Sequence, residues 1–223
     1  MKFQSIRIPL TILILTIFMS CGTSVKVTDF WEADDIQDSK DDNYLVIARV
    51  DDMPGRQQFE QEIATRLREG GMNAIESYKK YPSLNILLQL DEQQIEQWIE
   101  SIRNEGINGI VLTVIKDEKQ ETRTSSSGVY VGAGYYPSIY DGYGYFGDYY
   151  GSYFSPYGYH GAYIPASQRT YTSDIYYLET VAYDLKRKKG QQLIAVVSVN
   201  ITDPDSAATV AEKYAEKIFA AFD

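Results

Sequence analysis

From Tyr44 to Val50 the chain reads YLVIARV, a near-continuous apolar run closed by Asp51-Asp52 and Pro54-Gly55. That pattern predicts a strand buried on both faces. Between Arg56 and Glu69 the apolar positions Phe59, Ile63 and Leu67 recur every four residues and Gly70-Gly71 supplies a stop, which predicts an amphipathic helix. Asn73 to Tyr78 follows as a second strand, and Leu84 to Leu90 either extends the sheet or leads into the next helix. That helix is the best-signalled element: Asp91 stands as N-cap, Gln94 closes a capping box, and Leu90 and Ile95 are placed for a hydrophobic staple. Ile95, Trp98, Ile99 and Ile102 share one face, and Gly106 ends it. Ile107 to Ile115 is apolar on both parities and reads as a central strand.

Past Lys116 the chain turns polar as far as Ser127, and regular alternation resumes in Tyr171 to Leu185, with Tyr171, Ile175, Tyr177, Val181, Tyr183 and Leu185 on one parity. A turn, KRKKG at Lys186 to Gly190, leads into Leu193 to Ile201, whose alternation predicts an antiparallel hairpin with the preceding strand. Asp203-Pro204 is expected to open a last helix whose buried stripe is Val210, Ala211, Tyr214, Ile218, Phe219 and Phe222. The order β-α-β-α-β, insertion, β-β-α defines an α/β domain bordering on α+β, with a mixed sheet and helices packed on it. One domain over 44–223, interrupted by an insertion at 128–168, suffices for a chain of this length.

Composition changes the picture at that insertion. Gly128 to Tyr163 holds twelve of the chain's twenty tyrosines and nine of its sixteen glycines, with no lysine or arginine. Tyrosine presents a rigid amphipathic ring at low entropy cost and glycine lets the backbone adapt, as in antibody loops. The tyrosines at 135, 136, 140, 143, 145, 149, 150, 153, 157 and 159 are therefore the candidate binding surface, for an envelope protein or a glycan: Tyr135, Tyr136, Tyr140, Tyr143, Tyr145, Tyr149, Tyr150, Tyr153, Tyr157 and Tyr159. The competing reading is a low-complexity loop without defined contacts. Val129–Val131 is placed to extend the neighbouring sheet.

Ahead of the domain, Lys2 and Arg7 precede an apolar run from Ile8 to Met19, the pattern of a bacterial export signal over residues 1–20. The run is too short to span a bilayer, which takes about 20 apolar residues. Cys21 is the lone cysteine, so a disulfide within the chain is excluded. Ser20-Cys21-Gly22 resembles the lipobox of bacterial lipoproteins, with Phe18 where leucine is usual, and that resemblance implies acylation of Cys21. Residues 21–43, with Asp29, Glu32, Asp34, Asp35, Asp38, Asp41 and Asp42, read as a solvated acidic tether. Without residues 1–20 the chain carries 19 basic and 31 acidic side chains, net −12. Such a surface repels nucleic acid and anionic lipid, so membrane attachment rests on the acyl chains. The expected location is the bacterial cell envelope, at the outer membrane.

The residues LDEQQIEQWIESIRNEGINGIVLTVI at 90–115, YYLETVAYDLKRKKGQQLIAVVSVNITDP at 176–204 and the closing helix resemble envelope lipoproteins related to the TolB N-terminal domain and the curli secretion lipoprotein CsgG. The resemblance implies a mixed sheet under helices and a role in assembly or binding at the envelope, and a homo-oligomer would favour the curli-like reading over a monomeric binder. It brings no catalytic residues.

Catalytic chemistry is poorly supported. His160 is the single histidine and has no nucleophile elbow near it. Gly132-Ala133-Gly134 lacks the third glycine and the helix of a dinucleotide site. Asp174, Glu179 and Asp184 cannot pair on one strand and read as solvated charges. Lys186, Arg187, Lys188 and Lys189 form a solvated hairpin tip, with an anionic lipid or lipopolysaccharide surface as secondary contact. No cofactor and no metal site are expected, and the function reads as non-enzymatic. The alternative is an envelope hydrolase acting on cell-wall material.

Overall fold

The computed structural model describes residues 23–85, 90–124, 129–131, 144, 146, 162–164 and 170–221. Among the described residues eight strands appear in chain order: β1 Ser24–Glu32, β2 Asn43–Arg49, β3 Asn73–Glu76, β4 Gly109–Thr124, β5 Val129–Val131, β6 Ala162–Ile164, β7 Thr170–Asp184 and β8 Leu193–Thr202. The helices are α1 Met53–Glu69, α2 Ser77–Lys80, α3 Glu92–Asn104 and α4 Ala207–Phe219, with a 3-10 turn at Ile36–Ser39. Six strands form one mixed sheet in the order β1-β8-β7-β4-β2-β3, in which β2 runs parallel to β3 and β4 while the other neighbours are antiparallel. The α/β class and the helical cover expected from the apolar pattern are both present.

Alternating side chains divide the core into two layers. Tyr44, Val46 and Ala48 of β2 pack with Phe59, Ile63 and Leu67 of α1 and with Val210, Tyr214 and Ile218 of α4. Leu45 and Ile47 point the other way, toward Ile95, Ile99 and Ile102 of α3. A strand apolar on both parities is thus covered on both faces. In the first layer Tyr214 meets Phe59 edge-on at 5.3 Å, and its hydroxyl pairs with Thr180, which pairs with Thr113, each at 2.7 Å. Burial pushes the Tyr214 phenol well above its ordinary range, so the hydroxyl stays protonated and the relay stays satisfied.

The helix signals hold locally. Asp91 caps α3 with both arms of the capping box made, Gln94 N to Asp91 at 2.8 Å and Asp91 N to Gln94 at 2.9 Å. Gly106, at φ +85°, takes the chain out of α3 through a conformation that side chains resist. α1 begins at Met53, three residues before the expected start, because Asp52 caps it through Gly55 N and Pro54 fits its first turn.

Several expectations are corrected. The tether is absent over Ser24–Glu32, which pairs along β8 as a sheet edge. A bulge between Val27 and Asp29 shifts the parity, so Val25, Val27 and Phe30 sit opposite Ile201, Val199 and Val197, and simple alternation does not reveal the strand. Thr23 is buried and clamped: Asp205 N donates to its Oγ1 at 2.7 Å, and its own amide donates to the Asp205 carboxylate at 3.3 Å. β3 stops at Glu76, just before α2, and β4 continues nine residues past Ile115 through the stretch whose polar character hides it. Helix α4 starts at Ala207 with Ser206 as N-cap. Asp203 instead adopts φ +50° and accepts from Asp174 N and Ser173 Oγ, so Asp203-Pro204 is a turn that fastens β7. Phe222 lies outside the described residues.

One fully buried carboxylate is held in an ion pair. Glu60, 0% exposed, accepts from Arg56 Nε at 2.9 Å, Ser77 Oγ at 2.7 Å, Tyr78 N at 2.8 Å and Ala48 N at 3.2 Å. Arg56, 2% exposed, also donates to Ser77 Oγ and to the Leu84 carbonyl. These bonds tie α1, β2 and α2 together. Arg56→Met would strand the Glu60 carboxylate, and a loss of about 3–5 kcal/mol is expected in urea unfolding at neutral pH.

Candidate functional site

Cys21, His160 and the ten candidate tyrosines lie outside the described residues. The structure does place what carries the insertion. β4 and β7 run side by side from Gly109↔Asp184 to Thr124↔Thr170, so the insertion leaves and rejoins the domain at one end of the sheet. Just beyond, Val129–Val131 pairs with Ala162–Ile164 in a separate two-stranded ribbon; it does not extend the main sheet.

The middle of the insertion is docked at the opposite end. Phe146 is 0% exposed and belongs to the α3-side core, with its ring 5.4 Å from Tyr183 in an edge-on contact and 6.0 Å from Trp98. Two residues earlier, the Gly144 carbonyl accepts from Gln192 N at 3.0 Å. Gly144 lies so close to the turn between β7 and β8 that a Cβ there would stand 2.5 Å from the Gly190 carbonyl oxygen. Glycine is required at 144 by this close approach. The tyrosine reading passed over Phe146; the available signal was a phenylalanine, one of two in Gly128–Tyr163, that lacks the hydroxyl of its neighbours.

The lysine-rich turn is bound down by acids. Lys186 pairs with Asp42 and Arg187 with Asp184 at 3.3 Å and Asp35 at 3.0 Å, while Lys189 reaches Glu92 and Glu96 of α3, both at 2.8 Å. Lys188 is exposed. Ser39 Oγ donates to Asp184 at 3.1 Å and the Tyr44 hydroxyl to the Ser39 carbonyl at 2.8 Å, which closes the network over the end of the sheet. Glu179 and Asp184, read from sequence as solvated, are buried; Glu179 pairs with Lys116 at 3.2 Å. Burial lifts the Asp42 carboxyl above its ordinary value against the opposing pull of Lys186, whose ammonium is in turn raised by its bond to Asp42.

Ser39, Asp42 and Asp184 are all buried under their partners, so these three groups brace the fold. Beside the turn, a shallow groove of about 350 Å³ is lined by Glu96, Glu100, Arg103, Arg187 and Lys189, and this mixture selects no single charge class. Among the described residues no three metal-ligating side chains converge, and no helix is long and apolar enough to cross a membrane.

No family model matches the chain, and no curated protein matches it significantly. Among solved structures it is similar to the PelC dodecamer from Paraburkholderia phytofirmans, at 10% identity and a TM-score of 0.40, covering 88% of this chain and 94% of that one. It is likewise similar to a DUF4136 family protein from Bacteroides thetaiotaomicron, at 12% identity and a TM-score of 0.40, covering 90% and 96%. At these values the likenesses concern the course of the chain, and no partner or activity passes from them to this protein.

Removing the Phe146 ring should leave a cavity between α3 and β7: Phe146→Ala is expected to lose about 3–5 kcal/mol in urea unfolding. Lys186→Met should cost about 1–3 kcal/mol at pH 7 by leaving Asp42 buried without its cation. The cost should shrink at pH 4. Because the folded carboxyl has the higher pKa, its charge penalty is absent below the unfolded value and grows as pH rises through the folded one. Unfolding curves at the two pH values measure the difference.

Proposed function

We propose that this protein is a lipid-anchored bacterial envelope protein that acts by contact, without catalysis, acylated on Cys21 and using the tyrosines of its insertion as a binding or assembly surface. The observation that carries the reading is Phe146. A fully buried anchor, a backbone bond to Gln192 and a glycine fitted against Gly190 hold the middle of the insertion on the domain, which supports a presented surface over a loop without defined contacts. The anchor divides the tyrosine-rich sequence into 132–143 and 147–161, two stretches bounded by the β5–β6 ribbon and by the domain.

The membrane half of the proposal rests on the export-signal pattern and the single cysteine before Gly22. Gly22 replaces the aspartate that retains some lipoproteins at the inner membrane, which favours the outer membrane. Thr23 adds a geometric consequence. It is clamped to Asp205, so an acyl group on Cys21 attaches one residue from the folded domain, with no long spacer between. The net charge of −12 after residues 1–20 leaves attachment to the acyl chains. The finer likeness to the TolB and curli secretion groups belongs to this proposal and rests on apolar spacing in 90–115 and 176–204.

Two experiments separate the halves. Cys21→Ser should abolish incorporation of alkyne-tagged palmitate in cells and release the chain from the membrane fraction; retained label or retained sedimentation would refute anchoring at this cysteine. Deleting 147–161 while keeping Gly144 and Phe146 should leave thermal unfolding nearly unchanged and remove the partner recovered by in-cell photo-cross-linking from Tyr140 or Tyr143. Undiminished recovery would refute the contact surface.

A further inference from the structure

β4 outruns its neighbour. Its last partner on β2 is Arg49 opposite Val114, and from Ile115 to Thr124 it has β7 on one side and, among the described residues, no strand on the other. Beyond the last β8 partner, Ile175, the arm is a two-stranded ribbon of Gln120–Thr124 against Thr170–Asp174. Within it Gln120 pairs with Asp174 and Thr122 with Thr172, while Ile175 and Tyr177 stand opposite Lys119 and Asp117 at its base. Asp117 and Lys119 share one face, 3.5 Å apart, and Gln120 on the other donates across the ladder to Asp174 at 3.0 Å. A two-stranded ribbon standing beyond the sheet is marginal in water by itself, and an open edge invites another strand.

The charges along this edge specify which strand. Asp117, Lys119, Glu121 and Arg123 alternate in sign at every second residue. We propose that the arm is a self-association surface in which β4 of a second copy pairs antiparallel along the free edge, with Gln120 opposite Gln120 on a twofold axis. In that register Lys119 stands opposite Glu121 and Asp117 opposite Arg123 of the second copy, and the symmetry makes each pairing twice. On the other face Glu118 stands opposite Thr122, without repulsion.

The neighbouring registers that keep the same face are both disfavoured. A slip of two residues one way sets Lys119 opposite Lys119 and Asp117 opposite Glu121. A slip the other way sets Glu121 opposite Glu121 and Lys119 opposite Arg123. Directly opposed like charges destabilise a ladder, so the sequence selects one register by attraction and excludes the next two by repulsion. The bulge between Ile115 and Asp117 lies outside the paired stretch, which leaves Asp117 to Arg123 as unbroken strand.

The test uses the full chain extracted in detergent, with its mass measured by sedimentation as a function of concentration. Wild type is expected to dimerise. Lys119→Glu and Glu121→Lys should each weaken the dimer by about tenfold or more, since each creates two like-charge oppositions. The double variant Lys119→Glu/Glu121→Lys restores opposite charges across the axis and should recover most of the loss. Lys119 and Glu121 also neighbour each other along the strand, so the unfolding curve of each variant is recorded beside its dissociation constant, and the recovery must exceed any change in monomer stability. Gln120→Cys should yield a disulfide-linked dimer under mild oxidation, well above the level given by Thr172→Cys on the far strand. A monomeric wild type, reversals without effect, or a double variant as weak as the singles combined would each overturn the proposal.

Discussion

The ladder between β4 and β7 joins residues 109–124 to 170–184 through fifteen paired positions, and the remaining structure is arranged on it. Its inner half is flanked by β2 and β8 and covered on both faces, so its backbone groups are satisfied inside a closed core. Its outer half leaves the core and carries the insertion. At the inner end, the turn after β7 receives Gly144 and Phe146 back from that insertion. One long antiparallel pairing therefore fixes both where the tyrosine-rich chain departs and where it is held.

Charge is handled differently in the interior and at the rim. Glu60 is buried with four hydrogen-bond donors around it, so its desolvation is offset by geometry that draws α1 and α2 onto β2. At the rim the cations of the turn after β7 are divided among Asp35, Asp42, Asp184, Glu92 and Glu96. A run of four basic residues that reads as a solvated hairpin tip is thus largely neutralised by acids from three separate parts of the chain. The acids of 35–42, read as tether, supply much of that neutralisation. A strongly acidic protein gains stability where its few cations are shared in this way.

The insertion is likewise less separate from the domain than its composition suggests. Phe146 is a core residue by burial, and a deletion spanning 129–163 would take it away along with the tyrosines. Contact function and fold stability are coupled at that residue, which is why removing only 147–161 isolates the first from the second.

The sequence by itself determined the elements whose signals are local: the cap and box of α3 at Asp91 and Gln94, the doubly apolar β2, and the hairpin of β7 and β8. Their residues repeat with the period of the element and find their partners within a few positions, so one stretch suffices to identify each. It also determined the anomalous composition of 128–163 and the lone Cys21. Tertiary structure alone decided that Ser24–Glu32 is a strand, since the bulge at Thr28 breaks its alternation and its ladder partner lies some 170 residues away. It alone buried Glu179, Asp184 and Phe146, because whether a charge is solvated or an aromatic ring is exposed depends on what the rest of the chain brings against it, and those neighbours are distant in sequence.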